Sequence, residues 1–352
     1  AAVLKHEALL RASSVSASND LRLGQNEAPT AILSIFIGKH LTQVLEDLEN
    51  VSKGKLSPKE KTDLKLNVIG KIPEILLDNT DSDRTSPFAF TGNKFEYRSV
   101  GSKSNSAKAT TVLNAIVTEQ LIDFKNRVDD LVDSKNMKKD DAIFNILREI
   151  IIKIKDFLLE DFDGDQKDGK SKNTKKIDMK STPESLMAYL DKSAVDLFEN
   201  LEVFSSAELH ARCQVDMQSY TSEIQIESRT LGDISSNHII PTAIKFQNIL
   251  IENVQGIKEI FGTNFKTHAN EQLIILENIS EHIKQINKGV ADMVLARKKA
   301  NSIDDINKKA LSYAETVAPF LNQIRYHCDK LELTVDDSIW PLAKYRELLF
   351  IR

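Results

Sequence analysis

Residues 273–293 of this chain have the sequence LIILENISEHIKQINKGVADM, and their apolar side chains recur every three or four positions. That spacing is the period of an α-helix with one apolar face. It predicts a long helix over 266–298 that packs within a helical bundle, because such stripes form core seams far more often than cofactor sites. The stripe consists of Leu273, Leu276, Ile279, Ile283, Ile286, Val290 and Met293.

The helical pattern extends far beyond this segment. With 12 Gly and 8 Pro among 352 residues, the chain has few turn-forming residues, which favours long helices. We predict an α+β fold that is mostly α and has two parts. The first part is a domain over 1–105, and the second is a helical region over 106–352 that contains a polar loop at 161–181. The predicted helices of that region cover 107–133, 138–159, 182–203, 206–230, 233–260, 266–298, 302–335 and 338–350.

The first 105 residues have a more mixed pattern. Residues 1–17 are predicted to be the end of a helix, and Pro29 can begin a second helix that continues to about residue 50, since its missing N–H is no loss in a first turn. Residues 72–77 are predicted to form an edge strand because they contain a proline. Residues 93–100 alternate polar and apolar side chains, which predicts another strand.

Charge and composition exclude several classes of protein. The net charge of −5 has no dominant basic stripe, so we expect no nucleic-acid partner. No apolar run reaches the roughly eighteen residues of a membrane span. Cys213 and Cys328 are too few for a disulfide framework and fit a reducing compartment, the cytoplasm or an organelle matrix. Residues 1–10 resemble a helix entered midway more than a signal peptide, so the chain is expected to be part of a longer protein.

The predicted strand over 93–100 places charged side chains on one face. Lys94, Glu96 and Arg98 share that face, while Phe95 and Tyr97 share the other. Burying two cations and an anion there without partners would be costly. Two interpretations remain open: a salt-bridge ladder on a solvated face, or a ligand site. In the ligand site Glu96 holds a divalent cation and the flanking cations meet phosphate or carboxylate.

Two loops add charged groups. Arg84 precedes the strand, and its guanidinium fork matches phosphate oxygens, although an ordinary surface arginine is the common alternative. Arg22 and Glu27 lie in a loop over 19–28 whose Gly and Asn residues tolerate unusual backbone angles. Such a loop could close over a ligand with its carboxylate as a base. A simple turn between two helices is at least as consistent with the residues alone.

Other candidate motifs are weaker. Residues 161–176 begin like a calcium loop, but Gln166 stands where that loop needs Gly and Lys172 where it needs a bidentate Glu. We therefore interpret the segment as a solvated surface loop. The histidines on predicted helices are expected to be isolated packing or surface residues; these are His210, His238, His268, His282 and His327.

Several segments resemble the type III glutamine synthetases. Asn19–Pro29 (NDLRLGQNEAP) resembles the flexible loop of that family, and Arg84–Arg98 (RTSPFAFTGNKFEYR) resembles its hallmark block. The similarity continues in Glu208–Arg212 (ELHAR), Ile224–Gly232 (IQIESRTLG) and Asn237–Asn248 (NHIIPTAIKFQN). It thus covers nearly the whole chain and matches the C-terminal half of a subunit. The resemblance implies that 1–105 is the end of the catalytic domain and that 106–352 is the family's helical C-terminal extension.

The resemblance also implies a reaction. The family joins ammonium to the γ-carboxyl of glutamate through γ-glutamyl phosphate, using ATP and Mg²⁺ or Mn²⁺, in stacked hexameric rings with sites between neighbouring subunits. By position, Arg22 grips glutamate, and Glu27 helps to deprotonate ammonium. Arg84 and Lys94 contact ATP. The remaining two matches are Glu96, a metal ligand, and Arg98, which stabilises the transferred phosphoryl group.

Two departures keep a second hypothesis open. Leu21 stands where the family usually has His, and Ser82 stands where it has a second Arg, whose loss removes a charge-assisted contact worth about 1.5–3 kcal/mol. The family carries its β-grasp domain and most metal-binding carboxylates upstream of the part that this chain matches. The chain is therefore expected to be a partial ligase subunit that needs the N-terminal half. The alternatives are an inactive assembly subunit or a purely helical interaction module.

Overall fold

The computed structural model describes residues 1–17, 35–37, 45, 48, 88–90, 94–97, 105–154, 158–159 and 181–349. The internal contacts divide the chain into two compact units, Ala1–Asp216 and Met217–Arg352. The boundary expected near residue 105 stays a prediction.

The described elements are numbered in chain order. The strands are β1 (Ile35–Phe36), β2 (Phe88–Phe90), β3 (Phe95–Tyr97) and β4 (Leu158–Leu159). The helices are α1 (Ala2–Lys5), α2 (Glu7–Ala12), α3 (Ala107–Lys135), α4 (Lys139–Ile154), α5 (Thr182–Leu186), α6 (Lys192–Asn200), α7 (Ser206–Ile234), α8 (Ile240–Phe261), α9 (Phe265–His268), α10 (Asn270–Asn301), α11 (Ile306–Ser312), α12 (Ala318–Thr334) and α13 (Tyr345–Leu348). Short 3-10 turns occupy Met187–Leu190 and Gly262–Asn264, and π-helical turns occupy Ser235–Ile239 and Tyr313–Val317.

The prediction of a mostly helical fold with short strands is confirmed. The apolar stripe that predicted a helix over 266–298 lies in α10, and the helix predicted over 107–133 is α3. Asn136 ends α3 in the left-handed conformation that commonly closes a helix. Among the described helices, none is long and apolar enough to cross a lipid bilayer.

The four described strands form one sheet in the order β3-β2-β1-β4. Strand β1 is parallel to both β2 and β4, whereas β2 and β3 are antiparallel. In the antiparallel pair, Phe88 lies opposite Tyr97 and Phe90 lies opposite Phe95. The strand predicted over 93–100 is thus present within its described residues. The edge strand predicted over 72–77 lies outside the described part of the chain.

Two predicted helices contain strand residues, and in the described part of the segment predicted as a helix over 338–350 only Tyr345–Leu348 is helical. Ile35–Phe36 lies inside the helix predicted from Pro29 to about residue 50 but forms β1, and Leu158–Leu159 lies inside the helix predicted over 138–159 but forms β4. Short apolar runs have no period that separates a buried strand from a helix. Their mutual parallel pairing, Ile35 with Leu158 and Phe36 with Leu159, decides for the strand. That pairing joins residues far apart in sequence, so local propensity could not reveal it.

The core of the first unit lies between the N-terminal helices, the sheet and α3. Leu10, Ile116 and Phe198 are fully buried in it, and Phe88 of β2 packs against the same cluster. Burial of an aromatic or large aliphatic side chain stabilises a fold by about 1.5–3 kcal/mol relative to exposure. The sheet is thus held by the same core as the helices.

The second unit is built around α10 and its neighbour α12. Ile279, Ile286 and Met293, spaced seven residues apart, are buried in α10. Gly289 on the same helix approaches α12 so closely that an added Cβ would lie 2.9 Å from Cγ1 of Ile324. The predicted stripe therefore forms a helix–helix seam within this unit, as expected.

Each π-helical turn in the second unit precedes a proline. The backbone N–H of Ile240 donates to the carbonyl of Ser235, and that of Ala318 donates to the carbonyl of Tyr313; each bond is one residue wider than an α-helical bond. A proline in a helix lacks its own N–H and clashes with the carbonyl four residues earlier. The wide turns adapt the helices to Pro241 and Pro319. They interrupt the predicted helices over 233–260 and 302–335.

Candidate functional site

The β2–β3 hairpin presents an aromatic face. Phe88 and Tyr97 are paired across the strands with ring centroids 5.7 Å apart, and Phe90 and Phe95 are paired at 5.1 Å. Aromatic residues favour strands because their side chains pack well on a pleated surface. The sequence therefore forms this hairpin through cross-strand aromatic contacts.

Helix α2 fixes the position of the hairpin. The hydroxyl of Tyr97 donates to the carbonyl oxygen of Leu10 at 3.3 Å and lies 3.4 Å from Oγ of Ser14. Phe88 is 6% exposed within the core that also holds Leu10. Since successive strand residues point to opposite faces, this anchoring directs Glu96 away from the aromatic face.

The charged face is present as the alternation predicted. Nζ of Lys94 lies 2.9 Å from Oε1 of Glu96, and the two side chains are 64% and 32% exposed. A partly exposed carboxylate beside an exposed ammonium can form a salt bridge or accept a cation from solvent. Among the residues that the structure describes, no group of three or more His, Cys, Asp or Glu side chains is arranged to hold a metal ion. Both interpretations of this face therefore remain available.

The other predicted site residues lie outside the described part of the chain. These are Arg22, Glu27, Arg84 and Arg98, together with the departures Leu21 and Ser82. Their predicted roles stay predictions. The loop over 161–176 that resembles a calcium site also lies outside it.

A partly buried polar cluster on the N-terminal helices was not anticipated from the sequence. Nε2 of His6, which is 4% exposed, lies 2.7 Å from Oε2 of Glu119, and Nζ of Lys5 lies 2.8 Å from the same oxygen. On α2, Glu7 and Arg11 form a buried ion pair four residues apart. That spacing is the usual signature of a pair on one helix face and could have revealed the Glu7–Arg11 contact.

The carboxyl of Glu119 responds to this environment. Its partial burial favours the neutral form, but the hydrogen bonds from Lys5 and His6 outweigh burial and lower its pKa below the ordinary value. Glu119 is therefore a structural anion that ties α1 to α3. Neither the charge nor the burial of this cluster implies a ligand.

A small cavity of about 110 Å³ lies within the first unit, between α3 and the first turns of α7. Its apolar wall includes Val112, Phe198 and Leu209, and Arg212 stacks on the Phe204 ring with 4.4 Å to the ring centroid. Burial is the main reason why the pKa of a lining thiol, Cys213, rises to about 11. The thiol stays protonated at neutral pH and is not an activated nucleophile.

Two histidines that the sequence suggested were isolated contact each other. Nδ1 of His282 on α10 lies 3.0 Å from Nδ1 of His327 on α12. The expectation for this pair was wrong, because 45 residues separate them and only the packing of the two helices brings them together.

Comparison with known proteins agrees with the sequence motifs. The family described as the glutamine synthetase C-terminal domain matches residues 142–258. The chain is 45% identical to a glutamine synthetase of Bacteroides fragilis and 32% identical to a type-3 glutamine synthetase of Dictyostelium discoideum, in each case over 99% of this chain. A glutamine synthetase of Butyrivibrio fibrisolvens is 26% identical over the same share.

The chain spans about half the length of these relatives, namely 48%, 47% and 49% of them in the same order. The predicted resemblance to type III glutamine synthetases is thereby confirmed. Residues 142–258 match the glutamine synthetase C-terminal domain family, and 99% of the chain aligns with glutamine synthetases that include a type-3 protein.

Proposed function

We propose that this chain supplies one side of the active site of a glutamine synthetase, which joins ammonium to the γ-carboxyl group of glutamate at the expense of ATP. The observation that carries the proposal is the 45% identity with the Bacteroides fragilis protein over 99% of this chain. Because the chain spans 48% of that relative, the proposed activity requires the rest of a subunit as well.

The charged face of β3 fits a phosphate-bridging metal. Mg²⁺ in phosphoryl-transfer sites is often bound through one or two carboxylates together with substrate phosphates, so a single carboxylate on this face is sufficient. Glu96 is partly exposed and can serve as that ligand, and Lys94 beside it can then turn to a phosphate oxygen. When bound, the metal would neutralise charge on the phosphates.

The other charged residues complete the proposed chemistry. Arg84 and Arg98 would meet phosphate oxygens, where guanidinium groups stabilise the charge of a transferring phosphoryl group. Arg22 would hold the carboxylate of glutamate, and Glu27 would take a proton from ammonium. Ammonia then attacks the acyl carbon of γ-glutamyl phosphate and a C–N bond forms. Phosphate leaves with the electron pair of the broken C–O bond, and it takes up the proton that the new amide nitrogen loses.

A catalytically inactive assembly subunit is the second candidate. Leu21 and Ser82 replace residues that the family resemblance places near the substrates, and the Lys94–Glu96 ion pair occupies the face that would hold the metal. The resemblance also supports stacked hexameric rings for either candidate. Binding of ATP with Mg²⁺ separates the two, because an assembly subunit has no need of it.

The test is a pair of glutamate variants in the protein that contains this chain. E96A should reduce glutamine formation from glutamate, ATP and ammonium to background, since it removes the proposed metal ligand. E149A is the matched control: Glu149 forms exposed ion pairs with Arg127 and Lys153 on the helical surface, so its loss should leave turnover unchanged. Turnover in E96A equal to that of the parent would refute the metal-ligand role.

A parent protein that neither forms glutamine nor binds ATP with Mg²⁺ would favour the inactive subunit. Calorimetric titration of ATP in the presence of Mg²⁺ measures this directly. Circular dichroism of each variant checks that the helical content is retained.

A further inference from the structure

The contact between His282 and His327 brings two imidazole nitrogens together at the seam between α10 and α12. Their Nδ1 atoms are 3.0 Å apart, and the ring planes are inclined by 48° with centroids separated by 5.2 Å. Both side chains are half-buried at the seam between α10 and α12, so each ring retains access to solvent. A hydrogen bond between two neutral imidazoles explains the separation without a metal, and a rotation of the two rings would turn both nitrogens toward one ion.

We propose that His282 and His327 form a binding site for a divalent late transition-metal ion, with water in the remaining coordination positions. Imidazole nitrogen is a preferred ligand of Cu²⁺, Ni²⁺ and Zn²⁺. The site has two protein ligands, so its affinity is that of a surface chelate and not that of a closed structural site. This inference is independent of the proposed ligase activity.

The separation of the nitrogens selects among these metals. At metal–nitrogen distances of about 2.0–2.1 Å, nitrogens 3.0 Å apart subtend an angle of about 94° at the ion. Adjacent positions of a square-planar or tetragonal ion are about 90° apart, the arrangement of Cu²⁺ and Ni²⁺. Tetrahedral Zn²⁺ would need the nitrogens about 3.3 Å apart. This separation and the general affinity order, in which Cu²⁺ binds most tightly, both favour Cu²⁺ at the site.

Metal binding requires a change of tautomer. In the hydrogen-bonded pair one Nδ1 carries a proton and the other accepts it. For both Nδ1 atoms to bind an ion, that proton moves through solvent to the Nε2 atom of the same ring. Both rings are then neutral Nε2–H tautomers, and no net proton is released.

Neighbouring charges set the strength of the site. Glu281 precedes His282 in the chain, but its carboxylate already accepts hydrogen bonds from Gln285 at 2.6 Å and Lys284 at 3.4 Å. The ammonium of Lys330 lies 5.4 Å from the Tyr326 ring centroid and is close enough to act electrostatically on His282. As a cation beside the site, Lys330 weakens metal binding, so K330Q should strengthen it.

The experiment titrates the metal-free protein that contains this chain with Cu²⁺ and follows binding by calorimetry and electron paramagnetic resonance. We expect one ion per chain at the pair, with a spectrum that shows two equivalent nitrogen ligands. H282Q and H327Q should each weaken binding about tenfold or more, and K330Q should strengthen it several-fold. H238Q is the matched control, because His238 is exposed on its own π-helical turn, and its binding curve should match the parent.

Absence of the two-nitrogen spectrum in the parent overturns the proposal, and this outcome does not depend on any variant being folded. Curves of H282Q and H327Q that coincide with the parent also overturn it. An ion bound at the pair links α10 to α12, so Ni²⁺ should raise the unfolding temperature of the parent and not that of either histidine variant.

Discussion

Gly289 gives the sharpest test of the seam between α10 and α12. A methyl group added there would lie 2.9 Å from Cγ1 of Ile324, a side chain that is fully buried. Cγ1 is only one bond from the Cβ of a stiff, β-branched residue, so it cannot swing away as the end of a flexible side chain could. G289A must therefore displace one helix or force Ile324 off its rotamer.

Two opposing effects decide the size of the change. Replacing glycine with alanine inside a helix stabilises it by about 1 kcal/mol. Overpacking a well-packed core costs typically 1–3 kcal/mol, about 2 in the middle of that range. G289A should therefore lower the free energy of unfolding by about 1 kcal/mol.

Gly256 on α8 supplies the control. It lies in the same unit, and nothing is within 4 Å of the position that its Cβ would occupy. G256A should gain the full helix propensity, about 1 kcal/mol, without strain. The two substitutions share the propensity term, so their difference isolates the steric cost at Gly289, about 2 kcal/mol.

Urea denaturation of the parent and both variants, monitored by circular dichroism, measures these free energies. If G289A raised the free energy of unfolding as much as G256A does, the close approach of α10 and α12 would be refuted. In the background I324A, where the blocking atoms are absent, G289A should become stabilising, and failure of this rescue would place the strain elsewhere.

Two further predictions concern titratable groups of the first unit and of the second. Because the pKa of Glu119 is lowered on folding, its contribution to stability is complete above the ordinary carboxyl range and is lost as the pH falls through the lowered value. In a profile of the free energy of unfolding against pH, E119Q should therefore reduce the fall in stability on the acid side. An unchanged fall would contradict the contacts of Glu119 with Lys5 and His6. Burial raises the pKa of the Cys213 and Cys328 thiols, so both should react with a disulfide reagent at pH 8 only after unfolding. Rapid reaction of the native chain would contradict their burial.

The long helices were predictable because their apolar residues repeat over many turns. Ile279, Ile286 and Met293 form the buried seam that the stripe in residues 273–293 indicated. The strands β1 and β4 were missed because two apolar residues carry no period, and their partners are distant in the chain. The π-helical turns follow from Pro241 and Pro319, yet a proline signal alone does not distinguish a wide turn from a helix end.

In the candidate site, too, the contacts between neighbouring residues were predictable and the contacts between separate helices were not. Alternation along 93–100 placed Lys94 and Glu96 on one face, and their 2.9 Å contact agrees with that pattern. The buried His6 and the paired His282 and His327 could not be found in this way, because each depends on how separate helices pack.

The helices of the first unit also determine where the charged face of β3 can lie. Phe88 is buried against Ile116 and Phe198, and the Tyr97 hydroxyl reaches α2, so the hairpin cannot rotate without opening the core. Phe198 belongs to the segment that matches the glutamine synthetase C-terminal domain. That segment therefore contributes packing that orients Glu96, and truncating Phe198 should disturb the face without touching any charged group. The helices of the first unit thus help to position the candidate site through the core that they share with the hairpin.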